Sequence, residues 1–283
     1  MTRPVVGCHI STAGGVGNAV ERVRERGCEA LQIFTTSPRA WAHQAHPEDQ
    51  VARFRTGLAG IPAVVHGSYL MNFATTDPAL LVKSSTMLVQ TARWASALGC
   101  TTVILHPGQA VGGEGADGVA RVAAGLKAVL ADWPAALTLS LEQSAGQKGS
   151  VGARLEDLAA VLDALAGDRR VNVWLDTAHA FGAGWDLRDP AGVNRFAADI
   201  RHALGTGRVA GVHANDSKVT LGSRKDRHEN LGDGGIGLAG FVALLAHPDF
   251  TDRPFILEVP GLAGEGPDLE NMNRIKRARD GAL

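Results

Sequence analysis

The sequence predicts an α/β fold, a single-domain (β/α)8 TIM barrel, on three observations. Eight short apolar runs recur along the chain, longer stretches with apolar residues at helical spacing separate them, and six consecutive runs end in a metal-competent residue. The 283 residues suit one barrel of about 250 residues with its loops. Residues 1–283 read as one domain, because no linker, low-complexity stretch or charge run divides them.

The expected strands are VVGCHI (5–10), ALQIF (30–34), AVVH (63–66), TVILH (102–106), LTLSLE (137–142), VNVWLD (171–176), VAGVH (209–213) and FILE (255–258). They are apolar nearly throughout, as parallel strands covered on both faces require. Helices are expected over 16–26, 48–59, 78–98, 117–131, 154–166, 190–204 and 238–246. Asp77-Pro78 and Asp189-Pro190 each set a capping carboxylate before a proline at the first helical position. Gly99 closes the first of these two helices, and the Gly-rich residues 112–118 (GGEGADG) read as a flexible loop. An open doubly wound sheet is the runner-up topology. It calls for a glycine-rich phosphate turn after the first strand, and Ser11-Thr12-Ala13-Gly14-Gly15 is only a weak version of one.

Composition narrows the function. With 28 basic and 29 acidic residues the net charge is −1, so the chain is no polycation. Binding to nucleic acid then requires a local positive groove or bound cations. The three cysteines, Cys8, Cys28 and Cys100, form no C-x-x-C pair and read as small buried hydrophobes in a reducing compartment. The N-terminal MTRPVVGCHISTAGG lacks the apolar stretch of a signal peptide, and no run of 18 apolar residues occurs. A cytoplasmic protein without a membrane span is expected.

The six residues that end strands are His66, His106, Glu142, Asp176, His213 and Glu258, separated by 40, 36, 34, 37 and 45 residues. Each gap is one β/α unit, and a barrel gathers all its strand C-termini on one face. Any one of these side chains alone would pass for a satisfied polar residue or a helix cap. Six together, desolvated without a cation, would cost several kcal/mol each. Three loop residues extend the set: His179 in LDTAHAFGAGWDLR, and Asp226 and His228 in SRKDRHENLGDGGIG. Nine nitrogen and oxygen ligands without a thiolate suit zinc, with manganese or iron also compatible. They are too many for one four- or five-coordinate ion and suit two or three.

These segments, with GCHISTAGG, FTTSPRAW, HGSYLMN, ILHPG and LEQSAGQ, carry a resemblance that runs nearly end to end. The chain resembles bacterial endonuclease IV, the apurinic/apyrimidinic-site endonuclease family of base-excision repair. The resemblance implies a TIM barrel with three Zn2+ ions. His66, His106 and Glu142 would hold one. Glu142 would bridge to a second, held also by Asp176, His213 and Glu258. His179, Asp226 and His228 would hold the third. Gly67 and Gln143 depart from the family pattern, where an acidic residue and an asparagine are expected. The implied reaction is hydrolysis of the phosphodiester 5′ to an abasic site in duplex DNA, leaving a 3′-hydroxyl and a 5′-deoxyribose phosphate, with 3′-end cleaning besides. The resemblance implies Glu142 as the catalytic residue, because the two ions that would share it would activate water. No Ser/His/Asp triad is convincingly spaced.

The resemblance also implies side chains that enter the base stack and flip the abasic nucleotide out, which costs least where the base is already missing. The matching residues are Arg39, Tyr69 (the only tyrosine) and Leu70. Read alone, Tyr69 and Leu70 suit a core, and Arg39 a solvated surface. His9 is a candidate contact to phosphate or metal-bound water, and Lys218, Arg224 and Arg227 are candidate phosphate contacts. A monomer is expected. Two rivals stand: a barrel sugar isomerase or epimerase, which needs no third metal group, and a non-enzymatic binder of damaged DNA, which needs no complete ligand set.

Overall fold

The computed structural model describes residues 3–42, 45–110 and 115–282. The strands are β1 (Val6–His9), β2 (Ala30–Ile33), β3 (Ala63–His66), β4 (Thr102–Leu105), β5 (Thr138–Glu142), β6 (Val171–Asp176), β7 (Val209–His213), β8 (Asp216–Ser217), β9 (His228–Glu229) and β10 (Phe255–Leu257). Eight of them close a barrel in the order β1-β10-β7-β6-β5-β4-β3-β2, and β8 pairs with β9 separately. Every barrel pairing is parallel. The barrel fold and its eight expected strands are thus borne out, and the open sheet is excluded.

Alternation along each strand divides inside from outside. Ala30, Val64, Ile104, Trp174 and Ile256 form one small buried cluster that fills the barrel interior. The outward residues join the larger core beneath the helices. Trp174 fits only because Gly211 stands opposite on β7: a Cβ there would lie 2.2 Å from the indole Cη2. Gly7 is as constrained, since its Cβ would lie 1.8 Å from the Ala30 carbonyl oxygen of the neighbouring strand.

The helices are α1 (Ala19–Glu25), α2 (Glu48–Gly57), α3 (Pro78–Leu98), α4 (Gly115–Leu130), α5 (Leu155–Ala164), α6 (Thr177–Ala183), α7 (Pro190–Leu204), α8 (Gly237–Ala246) and α9 (Leu269–Arg279). Asp77 caps α3 through the Ala79 amide, and Asp189 caps α7 through the Gly192 amide, as the Asp-Pro pairs predict. Gly99 closes α3 in the left-handed conformation.

Two expectations need correction, and three observed elements were not expected. The helix expected over 16–26 is a 3-10 turn (Val16–Asn18) followed by α1. The loop expected over 112–118 is already helical from Gly115, while 112–114 lie outside the described residues. Helices α6 and α9 have no counterpart among the expected elements, nor has the β8–β9 ladder. The cysteines are buried and free, with Cys8 Sγ and Cys28 Sγ 3.4 Å apart. Among the described residues no helix is long and apolar enough to cross a membrane.

Candidate metal centre

Strand parity builds the site. Val64, Ile104, Trp174 and Ile256 face the barrel interior, so His66, His106, Asp176 and Glu258, each two residues on, face the same way one layer higher. His66, Glu142, Asp176 and His213 are the last residues of their strands, whereas His106 and Glu258 lie one residue past β4 and β10. All six are brought together around Glu142, which is 1% exposed. Glu142 Oε2 is 3.0 Å from His66 Nε2 and 3.4 Å from His106 Nε2. Its Oε1 is 3.0 Å from His213 Nδ1 and 3.4 Å from His179 Nδ1. His213 Nδ1 also faces Glu258 at 3.5 Å and Asp176 at 3.8 Å.

The third group forms beside this one. Asp176 caps α6 by accepting the His179 amide at 2.8 Å, and the first helical turn then sets the His179 ring back over the carboxylate layer. Asp-x-x-His is therefore a cap spacing as well as a ligand spacing. Asp226 lies 3.2 Å from both His179 Nε2 and His228 Nε2. Its loop is held from below by buried Asp216, which accepts the amides of Gly232, Gly234, Ile236 and Gly237. Three sets of ligand atoms lie within 4.8 Å of one another: His66, His106 and Glu142; Glu142, Asp176, His213 and Glu258; and Asp176, His179 and His228. Asp176 thus touches two sets, as Glu142 does.

Cations fit this arrangement for a reason internal to the hydrogen bonds. His66 Nδ1 lies 2.7 Å from the Gly67 carbonyl, His179 Nδ1 2.7 Å from the Gln143 carbonyl, and His228 Nδ1 3.2 Å from the Glu258 carbonyl. A carbonyl only accepts, so those nitrogens carry the hydrogens. The remaining Nε2 lone pairs of neutral rings then face carboxylate oxygens, lone pair against lone pair. Either a proton or a metal ion has to stand between them. His228 Nε2 is buried and makes no hydrogen bond despite its closeness to Asp226.

Without ions, protons fill this role. Burial works against a charge on His66, yet the hydrogen bond to Glu142 lifts its pKa to about 9. His228 also stands at about 9, against its burial, through the charges of Asp176 and Asp226. Burial opposes a charge on Glu142 too, but His106 and His213 hold its carboxyl well below the usual range. Glu258 is drawn down to about 2 against burial, by His213 and His66. Burial pushes His9 down to about 4, which leaves it neutral.

Two further side chains support the centre and are absent from the sequence-derived set. Buried Gln32 on β2 donates to Glu258 Oε1 at 2.5 Å and receives His213 Nε2 at 2.7 Å. Asn215 donates to Asp176 Oδ2 and receives the Glu258 amide, both at 2.7 Å. Gln32 left one trace in the sequence, an amide inside the apolar run ALQIF. The two departures from the family pattern also find reasons. A Cβ at Gly67 would meet the flexible end of Met71 at 2.5 Å and, less easily moved, the Ile104 carbonyl oxygen at 3.1 Å, while position 143 serves His179 through its backbone carbonyl, whatever its side chain.

The expected DNA contacts lie around this mouth. Tyr69 is 54% exposed, with its ring edge-on to Phe34 at 5.5 Å and 5.6 Å from the His66 ring. Leu70 is half-buried beside it, and both line a cavity that also includes His106 and Asp226. The core reading of Tyr69 is thereby excluded. His9 is half-buried, tilted on Phe34 and within 3.2 Å of Gln32 Nε2. Arg39, Lys218, Arg224 and Arg227 are exposed. Arg227 is turned toward the Asp226 carbonyl, and Lys218 lies 3.8 Å from Glu229.

Comparison with known proteins extends this picture. Residues 20–281 match the family described as xylose isomerase-like TIM barrel. A Nitratidesulfovibrio vulgaris protein named "Probable endonuclease 4" is 41% identical over 97% of this chain and 98% of its own. The crystal structure of endonuclease IV from Thermus thermophilus is 36% identical and superposes with a TM-score of 0.86, covering 99% of this chain and 100% of that one. The chain belongs to the endonuclease IV family. A D-tagatose 3-epimerase-like protein, at 15% identity and a TM-score of 0.72 over 98% of both chains, shares the fold alone. Membership of the endonuclease IV family makes this a metal-dependent DNA-repair enzyme by kinship, and its barrel mouth carries several groups able to hold metal.

Proposed function

We propose that this chain is a zinc-dependent endonuclease that hydrolyses the phosphodiester 5′ to an abasic site in duplex DNA. The products are a 3′-hydroxyl and a 5′-deoxyribose phosphate. The observation that carries the proposal is a nitrogen and oxygen donor set of eight of the nine expected residues in three adjoining groups, with Asp226 3.2 Å from two of them, on a chain so similar to an endonuclease 4. A damage-binding protein has no use for so complete a set, and an epimerase none for the group around His179.

His66, His106 and Glu142 would hold one Zn2+, Glu142, Asp176, His213 and Glu258 a second, and His179, Asp226 and His228 a third. When bound, the ions supply Lewis-acid chemistry that offsets phosphate charge and makes water acidic enough to attack at neutral pH. The residues do the rest. Glu142 sits between the first two groups and fixes their separation. The carbonyls of Gly67, Gln143 and Glu258 hold three imidazoles in the tautomer that presents Nε2. Tyr69 and Leu70, which line one cavity with His106 and Asp226, would wedge an unstacked sugar away from the duplex, and the exposed Arg39, Lys218, Arg224 and Arg227 would meet backbone phosphates. The same centre would trim blocked 3′ ends. The working unit is a monomer in the cytoplasm.

The test is a cleavage assay of the metal-loaded protein on an abasic duplex and its intact counterpart, with a ketose incubated in parallel. Nicking of the abasic strand alone, stopped by chelator, is expected. Glu142→Ala should lower the rate by about 100- to 1000-fold, the scale of losing one charge-stabilising group. Turnover of the ketose without nicking would overturn the proposal, and a Glu142→Ala variant that cuts as fast as the parent would remove the bridging role.

A further inference from the structure

We infer that Gln32 is a positioning residue for the group formed by Glu142, Asp176, His213 and Glu258, setting through its one amide both the tautomer of His213 and the direction of Glu258. The inference rests on the metal reading above, though not on the DNA reaction.

Gln32 is 0% exposed and ends no strand with a charge; it lies on β2, which contributes none of the nine candidate ligands. By parity it belongs with them. Ala30 faces the barrel interior, so Gln32, two residues on, joins the layer of Glu142 and His213. Its amide meets three partners there: Glu258 Oε1 at 2.5 Å, His9 Nδ1 at 3.2 Å and His213 Nε2 at 2.7 Å. The roles follow from what each atom is able to do. The Glu258 carboxylate only accepts, so the atom facing it is the amide nitrogen. The amide oxygen therefore faces His213, and as it only accepts, His213 Nε2 must carry the hydrogen. His213 Nδ1 is left as a lone pair, aimed at Glu142, Glu258 and Asp176.

The same nitrogen shares its second hydrogen with His9 Nδ1, so His9 is held as the Nε2–H form. One buried amide thus orders three side chains from β1, β7 and the end of β10. Among the described residues no backbone carbonyl reaches His213 as carbonyls reach His66, His179 and His228, and Gln32 takes their place. Partners of this kind commonly contribute about 10- to 100-fold to metal affinity.

The experiment uses the full-length, zinc-loaded protein, with Gln32→Leu and the longer Gln32→Met as variants. Zn2+ retained per chain is measured against rising concentrations of a competing chelator. In parallel, the imidazole resonances of 15N-histidine protein report which His213 nitrogen carries hydrogen. Both variants should release one ion at roughly 10- to 100-fold lower chelator concentration, with the other ions unmoved. The His213 Nε2–H signal should lose its hydrogen-bonded shift. A folded Gln32→Met protein that holds every ion as tightly as the parent, or keeps the His213 signal, overturns the inference. So does an equal loss of all ions, which would mark Gln32 as a general packing residue. Neither readout needs DNA, so a parent protein that binds zinc without cutting abasic duplex would end the nuclease reading and leave this inference standing.

Discussion

His66 and His228 each hold their pKa at about 9 in the metal-free protein, against 6.5 for a free imidazole. A folded pKa raised above the unfolded one adds stability that is complete below 6.5 and vanishes as pH climbs through 9. The melting temperature of chelator-stripped protein should therefore fall between those two values. The zinc-loaded protein should stay level over the same range, since its imidazoles hold ions in place of protons. Zinc affinity should move the opposite way and rise with pH, because binding expels those protons. A stripped protein that gains stability on the way from neutral to alkaline pH would contradict this account. At this scale the candidate ligands are legible in the sequence because their residue types are costly to bury alone. Gln32 and Asn215 are not, because a neutral amide in a strand or loop carries no comparable warning.

The loop from β8 to α8 shows how an element lends residues to a site without depending on them. Asp226 and His228 hang from a segment whose amides converge on Asp216. The double variant Asp226→Ala with His228→Ala should lose one ion per chain in elemental analysis while its circular dichroism stays that of the parent. Unchanged metal content would remove the third group. Helices with Asp-Pro starts are readable from sequence, since capping is a local interaction. Helix α6 is hidden because its cap, Asp176, reads equally as a ligand and because it is only 7 residues long. Helix α9 is so rich in charge that its buried stripe of Met272, Ile275 and Ala278 does not stand out.

Across the whole molecule the charge nearly cancels, at −1, yet Arg39, Lys218, Arg224 and Arg227 stand exposed on segments that follow β2 and β7. If Arg39 and Lys218 each meet one phosphate, binding of an abasic duplex should weaken with salt less steeply when either becomes alanine. The slope of log affinity against log salt should drop by about one per residue. An unchanged slope would assign that residue to another partner or to none. Such a property belongs to the assembled surface, because Arg39 follows β2 and Lys218 follows β8, and only barrel closure brings them to the same end.

The sequence by itself determined the barrel and the nine residues at its mouth. Apolar runs of strand length, one β/α unit apart, admit few other folds, and a two-residue period tells which side chains turn inward. Tertiary structure alone decided how those residues are held. Gln32 meets His213 across 181 residues of chain, and Asp176 comes to touch two ligand sets. Parity supplies a direction for each side chain, but a hydrogen-bond partner exists only once the sheet has closed and set distant strands at contact distance.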